Sequence, residues 1–260
     1  MLPGLAQFPE GQIIAFALVL LRVLAFVVAM PIIGTGAVPN QVKVLFSLVI
    51  AVLLFPILKF QHADVLKISD DIVFLAAREI FLGIFLGYLM RLFFFTINIA
   101  GEMIGVSSGL AQAQLFNPAM GTQSNVLEQF YLVLATLFFF GLNGHHIFIQ
   151  GLAKSFEMIP VADTGIKTAG FTSIAVGFQS ILLMGIKLAS PVMISILLTN
   201  LAMGVLGRAV PQMNVFMTSM QVTFLVTLFV LIVSVPFFVE QMEVVLNGMA
   251  DQFMAAMKVL

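Results

Sequence analysis

Long apolar runs constrain this chain more than any single motif does. A helix of about 20 apolar residues spans the hydrocarbon of a bilayer, and the sequence holds six runs of about that length or longer. They are Ile13 to Ile33, Val42 to Phe60, Ile72 to Ala100, Val126 to Ile149, Phe171 to Leu206, and Val222 to Val239. Charged residues are only 9% of the chain, against about 25% in a soluble domain. We predict an all-α, integral membrane-type fold with about six long apolar helical segments, some broken into bent helical hairpins.

Two of these runs exceed the length of one span, which leaves the topology open. The run from Phe171 to Leu206 is long enough to fold back at Ser190-Pro191, because proline interrupts a helix. The connections between runs are short and rich in turn residues, among them Asn143-Gly144 and Pro211 to Asn214. No linker or clean repeat is apparent, so we predict a single domain over residues 1–260.

Charge and cysteine content exclude several classes of function. The net charge is −1, with 11 Lys and Arg against 12 Asp and Glu, so no basic face for nucleic acid is expected. The chain has no Cys, which rules out disulfides and thiolate ligands. His145 and His146 are adjacent and lack an HExxH spacing. We predict no catalytic residue, no metal site and no cofactor.

Charged side chains inside the apolar runs need partners, because an ionised group in hydrocarbon costs at least about 2.5–3.5 kcal/mol. They are Arg22, Arg78, Glu79, Arg91 and Lys187. Neighbours in a helix are about 100° apart, so Arg78 and Glu79 should find partners on other segments rather than each other. Three interpretations remain open: packing pairs, a proton or ion relay, and contacts with partner subunits.

Glycines recur at a spacing that lets helices approach closely in a membrane. Gly83 and Gly87 form one GxxxG, and Gly101, Gly105 and Gly109 form two more. We expect close helix packing at Gly83, Gly87 and Gly101, either within the chain or at a subunit interface.

The stretch from Gly101 to Thr122 combines small and polar residues without Lys or Arg. Its backbone and amide groups cannot face lipid unsatisfied, so at membrane depth they must be buried in protein or line a wet cavity. A solvated surface loop is the alternative. The interleaved apolar residues favour a packed plug, and the stretch therefore indicates a gate.

Four segments together resemble one protein family. They are Arg78 to Phe95 (REIFLGIFLGYLMRLFFF), Ala100 to Pro118 (AGEMIGVSSGLAQAQLFNP), Asn143 to Pro160 (NGHHIFIQGLAKSFEMIP) and Gly207 to Phe216 (GRAVPQMNVF). In order and spacing they resemble the flagellar biosynthesis protein FliR family, which is related to the T-type export-apparatus subunit of virulence type III secretion systems.

The resemblance implies a non-enzymatic subunit of the flagellar type III protein export gate. Its implied partners are the P-type and Q-type subunits (FliP, FliQ), the B-type switch protein (FlhB) and unfolded protein substrates in transit. The implied location is the bacterial inner membrane, in the flagellar basal body. Residues 1–125 would resemble the P-type subunit, and residues 126–260 the Q-type subunit.

The resemblance also assigns roles to particular residues. The plug loop falls on Gly105 to Thr122, with gate residues Gly105, Ser107, Ser108, Gly109, Leu110, Phe116, Asn117 and Pro118. Subunit contacts are expected at Arg78, Glu79, Arg208 and Gln212, the last two exposed by a tight turn at Pro211 to Asn214. The family often has an acidic residue before the plug proline, where this chain has Asn117.

Two alternatives compete with a flagellar export gate. One is a stand-alone secondary transporter of a small solute, with helices broken at Pro118 and Pro191 around a midplane site and Glu79 or Glu102 as the coupling carboxylate. The other is the equivalent subunit of a virulence type III secretion system. A transporter should work alone in vesicles, whereas a gate subunit should need its partners.

Overall fold

The structure is an all-α fold of long apolar helices. The computed structural model describes residues 10–31, 33–34, 38–58, 72–109, 126–161 and 170–259, and in these residues it contains eight helices. They are α1 (Glu10–Ala29), α2 (Asn40–Leu54), α3 (Ile72–Ser107), α4 (Val126–Gly141), α5 (Gly144–Met158), α6 (Gly170–Ala209), α7 (Val215–Val233) and α8 (Val235–Val259). The predicted membrane-type, all-α fold class is confirmed.

Four helices, α1, α3, α6 and α7, are long and apolar enough to cross a membrane. The pair α4 and α5 would make a fifth span if the two helices were counted as one broken span. Helix α2 has 15 residues and is shorter than a simple span. The described residues therefore hold four such spans, or five with the α4–α5 pair.

The break between α4 and α5 lies where the sequence predicted a turn. Asn143 has a φ of 56°, a left-handed conformation that Asn tolerates better than most residues. Its backbone N–H donates to the carbonyl of Phe140 at 3.1 Å. The predicted Asn143-Gly144 turn is thus where this apolar run bends.

The run from Phe171 to Leu206 does not fold back at Ser190-Pro191. Helix α6 has 40 residues in all and continues through Pro191. Proline cannot donate to the carbonyl four residues before it, which here belongs to Lys187. The Ser190 hydroxyl donates to that carbonyl at 2.7 Å instead. This substitute hydrogen bond lets one helix run across the proline.

Contacts divide the described residues into two compact units. The first is drawn from Met1–Leu92, His145–Ala175 and Met249–Leu260, and the second from Phe93–Gly144 and Val176–Gly248. The first unit has a core of α1, α3 and α5 side chains that includes Phe26, Met90 and Leu152, all at most 1% exposed. In the second, Phe93 contacts Phe139, and Tyr131 contacts Phe238 with ring centroids 5.1 Å apart.

Candidate functional site

The described part of the predicted plug segment is the C-terminal end of α3. The Ser108 hydroxyl donates to the carbonyl of Gly105 at 2.9 Å, and Ser108 is only 1% exposed. Gly109 has a φ of +80°, the left-handed conformation with which glycine ends many helices. The helix therefore ends inside the predicted plug segment, whose first three residues, Gly105 to Ser107, belong to α3. Leu110, Phe116, Asn117 and Pro118 lie outside the described residues.

A polar cavity of about 180 Å³ adjoins this helix end in the second unit. Its walls come from the end of α3 and from α6 and α7, and its lining includes Ser107, Ser108, Gly109, Asn200, Ser219 and Thr223. Thr223 donates its hydroxyl to the side-chain carbonyl of Asn200 at 3.2 Å. Hydroxyl and amide groups around a space of this size can bind water or the polar backbone of another segment.

Glycines of α3 lie at close helix contacts, in each unit separately. A methyl group added at Gly83 would overlap the carbonyl oxygen of Arg22 and lie 2.7 Å from the Cβ of Ala25. At Gly87 the added group would overlap the Cβ of Ala29. In the second unit, a Cβ at Gly101 would lie 2.7 Å from the Cα of Glu128 on α4.

A buried ion pair joins α1 and α3 in the first unit. The Arg22 Nε donates to Glu79 Oε2 at 2.5 Å, and Nη2 donates to Oε1 at 3.0 Å. Both side chains are 0% exposed. A two-point contact of guanidinium with carboxylate is the strongest geometry for such a pair.

The same guanidinium holds the C-terminal end of α5. Nη1 donates to the backbone carbonyl and hydroxyl of Ser155 at 3.1 and 3.3 Å, and Nη2 donates to the carbonyl of Ile159 at 3.0 Å. The last carbonyls of a helix lack partners within the helix and carry partial negative charge. The Phe156 ring lies 4.2 Å from the Arg22 guanidinium carbon. Arg22 thus connects three helices through one side chain.

The other predicted contact residues lie in two different environments. Glu79 is enclosed by its pair with Arg22, and Arg78 is 3% exposed, with Nη1 3.5 Å from the carbonyl of Pro160. Neither therefore lies on the surface of the first unit. Arg208 and Gln212 are exposed at the turn between α6 and α7. The Asn214 side chain caps the start of α7 by accepting from the N–H of Met217 at 3.3 Å.

Sequence reasoning missed two features of the site. It recognised Arg22 as a buried charge but not that Glu79 and the end of α5 would share it. It also missed Asn200 and Thr223 on facing helices. The available signal for both was a lone polar or charged residue in an otherwise apolar run. Among the described residues, no three His, Cys, Asp or Glu side chains lie together as a potential metal site.

Comparison with known proteins gives a consistent result over most of the chain. The family of "Bacterial export proteins, family 1" matches residues 13–249. The chain is 31% identical to the flagellar biosynthetic protein FliR of Aquifex aeolicus over 87% of each chain. It is 33% identical to the FliR of Pectobacterium carotovorum over 85% of each chain. The FliR of Bacillus subtilis is 32% identical over 84% of this chain and 85% of its own.

Proposed function

Because the chain belongs to family 1 of the bacterial export proteins, we propose that it is a non-enzymatic subunit of the flagellar type III protein export gate. In this role it forms part of the pore for unfolded export substrates. A plug loop within Gly105 to Thr122 seals the closed channel. The chain is embedded in the bacterial inner membrane as a component of the flagellar basal body.

The observation that carries the gate proposal is the way α3 ends. A helix of 36 residues stops at Ser107 and is followed by buried Ser108 and left-handed Gly109, beside a polar cavity. A plug that yields to a passing polypeptide needs a fixed base and a segment beyond it that makes few strong contacts. The hydrogen-bonded end of α3 supplies the base. The residues that follow it in the sequence are uncharged, and several of them are small, which suits the movable part.

The partners proposed for this subunit are the P-type and Q-type subunits, the B-type switch protein and the unfolded substrate. Two features support an assembly of this kind. Arg208 and Gln212 are exposed on the α6–α7 turn. Helix α7 is largely exposed, because only 17% of its apolar span is buried against other described residues.

The test is ion leakage through the assembled gate. Residues 110–122 would be replaced by a Gly-Ser sequence of equal length, which leaves the packed end of α3 intact. The chain would be co-expressed with the P-type and Q-type subunits, and conductance of the cell membrane would be measured. We expect a leak with the variant and none with the native sequence, while the complex still co-purifies.

A matched control is the same Gly-Ser replacement at residues 162–169, which should leave the membrane tight. An intact complex that stays tight without the native residues 110–122 would overturn the plug assignment. The transporter alternative has its own outcome. It requires solute uptake by vesicles that contain this chain alone, and a gate subunit gives none.

A further inference from the structure

The end of α3 lies against α7 in the second unit. Gly109 follows the last turn of α3, and a Cβ built there would lie 3.6 Å from the Cγ of Met220 on α7, which is a van der Waals contact. The polar cavity of about 180 Å³ lies at the same place, and both α6 and α7 contribute to its walls. The position of α7 therefore bears directly on where α3 ends.

Helices α6 and α7 form a hairpin, which we call the α6–α7 hairpin. A Cβ built at Gly207 on α6 would lie 2.7 Å from a methyl group of Val215 on α7, so the two helices are close at the turn. Farther from the turn, Asn200 on α6 contacts Thr223 on α7. The two helices therefore run antiparallel from the turn to the cavity.

Few contacts with other described residues hold this hairpin. Only 33% of the apolar span of α6 and 17% of that of α7 are buried against them. The buried residues of α7 are Thr223, Thr227 and Leu231, each four positions from the next, so they form one narrow stripe. Apolar contact is not directional, and it leaves two helices free to slide or rotate along such a stripe. A fixed register needs a directed contact.

The two threonines of this stripe use their hydroxyls differently. Thr227 donates to the carbonyl of Thr223 at 2.7 Å, within α7 itself. Thr223 donates across the hairpin to Oδ1 of Asn200 at 3.2 Å, and Thr223 is only 4% exposed. A single polar residue in an apolar helix interface can fix its register, as in coiled coils. The Asn200–Thr223 bond is the directed contact of this kind.

We propose that Asn200 and Thr223 are positioning residues for the gate, an inference that rests on the proposed function. Their hydrogen bond fixes α7 against α6 beside the cavity, and Met220 of α7 supports the end of α3 at Gly109. The base of the plug is thereby held in one position. Without the bond, α7 shifts along α6, the base of the plug shifts with it, and the closed channel leaks.

The test separates the hydrogen bond from the volume of the side chain. Thr223→Val keeps the volume and removes the hydroxyl, whereas Thr223→Ser keeps the hydroxyl and removes a methyl group. Each full-length variant would be co-expressed with the P-type and Q-type subunits, and conductance of the cell membrane would be measured. A hydrogen bond of this kind shifts a two-state equilibrium about fivefold. We therefore expect Thr223→Val to raise the leak about fivefold over the native protein, and Thr223→Ser to stay near the native level.

Two further variants make the result specific to the bond between the helices. Asn200→Leu removes the same bond from an exposed position, so it should leak as much as Thr223→Val even if the latter fails to assemble. The double variant should leak no more than either single one, because both remove one interaction. Thr227→Val, on the same buried stripe, removes a hydroxyl that does not cross the hairpin and should leave the membrane tight.

Replacement of residues 110–122 is the reference in the same assay. If it leaks while Thr223→Val and Asn200→Leu stay tight in co-purifying complexes, the positioning role is wrong and the plug assignment stands. If it does not leak, the plug assignment fails and this inference fails with it. A larger leak from Thr223→Ser than from Thr223→Val would show that packing matters rather than the bond, and would overturn the inference. Thr223→Val added to the replacement should raise the leak no further, and a further rise would also overturn it.

Discussion

A single arginine illustrates how a membrane-type chain keeps a charge in its interior. The guanidinium has five N–H groups, and the five contacts of Arg22 with Glu79, Ser155 and Ile159 use all three of its nitrogens. Burial of each ion costs several kcal/mol, which the pair recovers only with such complete hydrogen bonding. Removal of the charge of one partner should therefore lower the stability of the protein far more than replacement of both partners by apolar residues.

We expect Glu79→Gln to destabilise the protein by about 3–5 kcal/mol, because Arg22 would remain charged and buried without its counter-ion. The double variant Arg22→Met with Glu79→Leu should recover a large part of this loss. The measurement is unfolding of the purified protein by SDS titration, followed by circular dichroism. Glu240→Gln, at an exposed position on α8, is the matched control and should change stability by no more than about 0.5 kcal/mol. Equal effects of Glu79→Gln and Glu240→Gln would refute the role given to the pair.

At the scale of residues, sequence reasoning recognised that Glu79 needs a partner on another segment but did not identify Arg22 as that partner. Adjacent positions in a helix face different ways, so Arg78 and Glu79 were expected to look to other segments, and Glu79 does pair with α1. The identity of its partner depends on which of Glu79's neighbours in space carries the opposite charge. That is settled by the packing of α1 against α3, which no local pattern encodes.

At the scale of helices, glycine spacing governs how closely α1 and α3 approach. The methyl group of Gly83→Ala would meet the backbone of α1, so the helices must separate. Such overpacking costs about 1–3 kcal/mol. We expect Gly83→Ala to lower the midpoint of SDS unfolding accordingly.

Gly204 provides the control for this prediction, because a Cβ there would meet no atom within 4 Å. Gly204→Ala on α6 should be neutral or stabilise by up to about 1 kcal/mol, through helix propensity alone. If the two alanine variants unfold at the same SDS concentration, the contact at Gly83 does not limit helix packing.

The apolar runs predicted which segments form helices. They did not predict where a helix breaks and where it continues. The bend at Asn143 was signalled by an Asn-Gly pair. Pro191 gave an equally strong signal for a break, yet α6 passes through it. The reason is the Ser190 hydroxyl bond to the carbonyl of Lys187, a local compensation that becomes visible only when the geometry is known.

At the scale of the whole molecule, the two units are assembled from separated stretches of sequence. The division into a P-like part over residues 1–125 and a Q-like part over residues 126–260 stays a prediction. It concerns similarity between proteins, whereas the units reflect contacts within this one. Sequence patterns define helices well but say little about which distant helices meet. The plug within Gly105 to Thr122 likewise stays a prediction.

The uncovered apolar surface of α7 bears on how this subunit assembles. Phe229 is 67% exposed, and the proposed export gate requires other subunits to cover such a surface. We expect a photoreactive phenylalanine analogue at position 229 to cross-link to a P-type or Q-type subunit in cells that express the complex. The adducts would be measured by their mass on denaturing gels and identified by peptide sequencing.

The control is the same analogue at Phe139, which is 1% exposed and should give no intermolecular adduct. The analogue keeps an aromatic side chain at both positions, and co-purification of the complex would verify that each variant still folds. If position 229 forms adducts only with lipid while the complex co-purifies, α7 faces the membrane. The proposed subunit contacts would then have to lie elsewhere, with the exposed α6–α7 turn at Arg208 and Gln212 as the next surface to test.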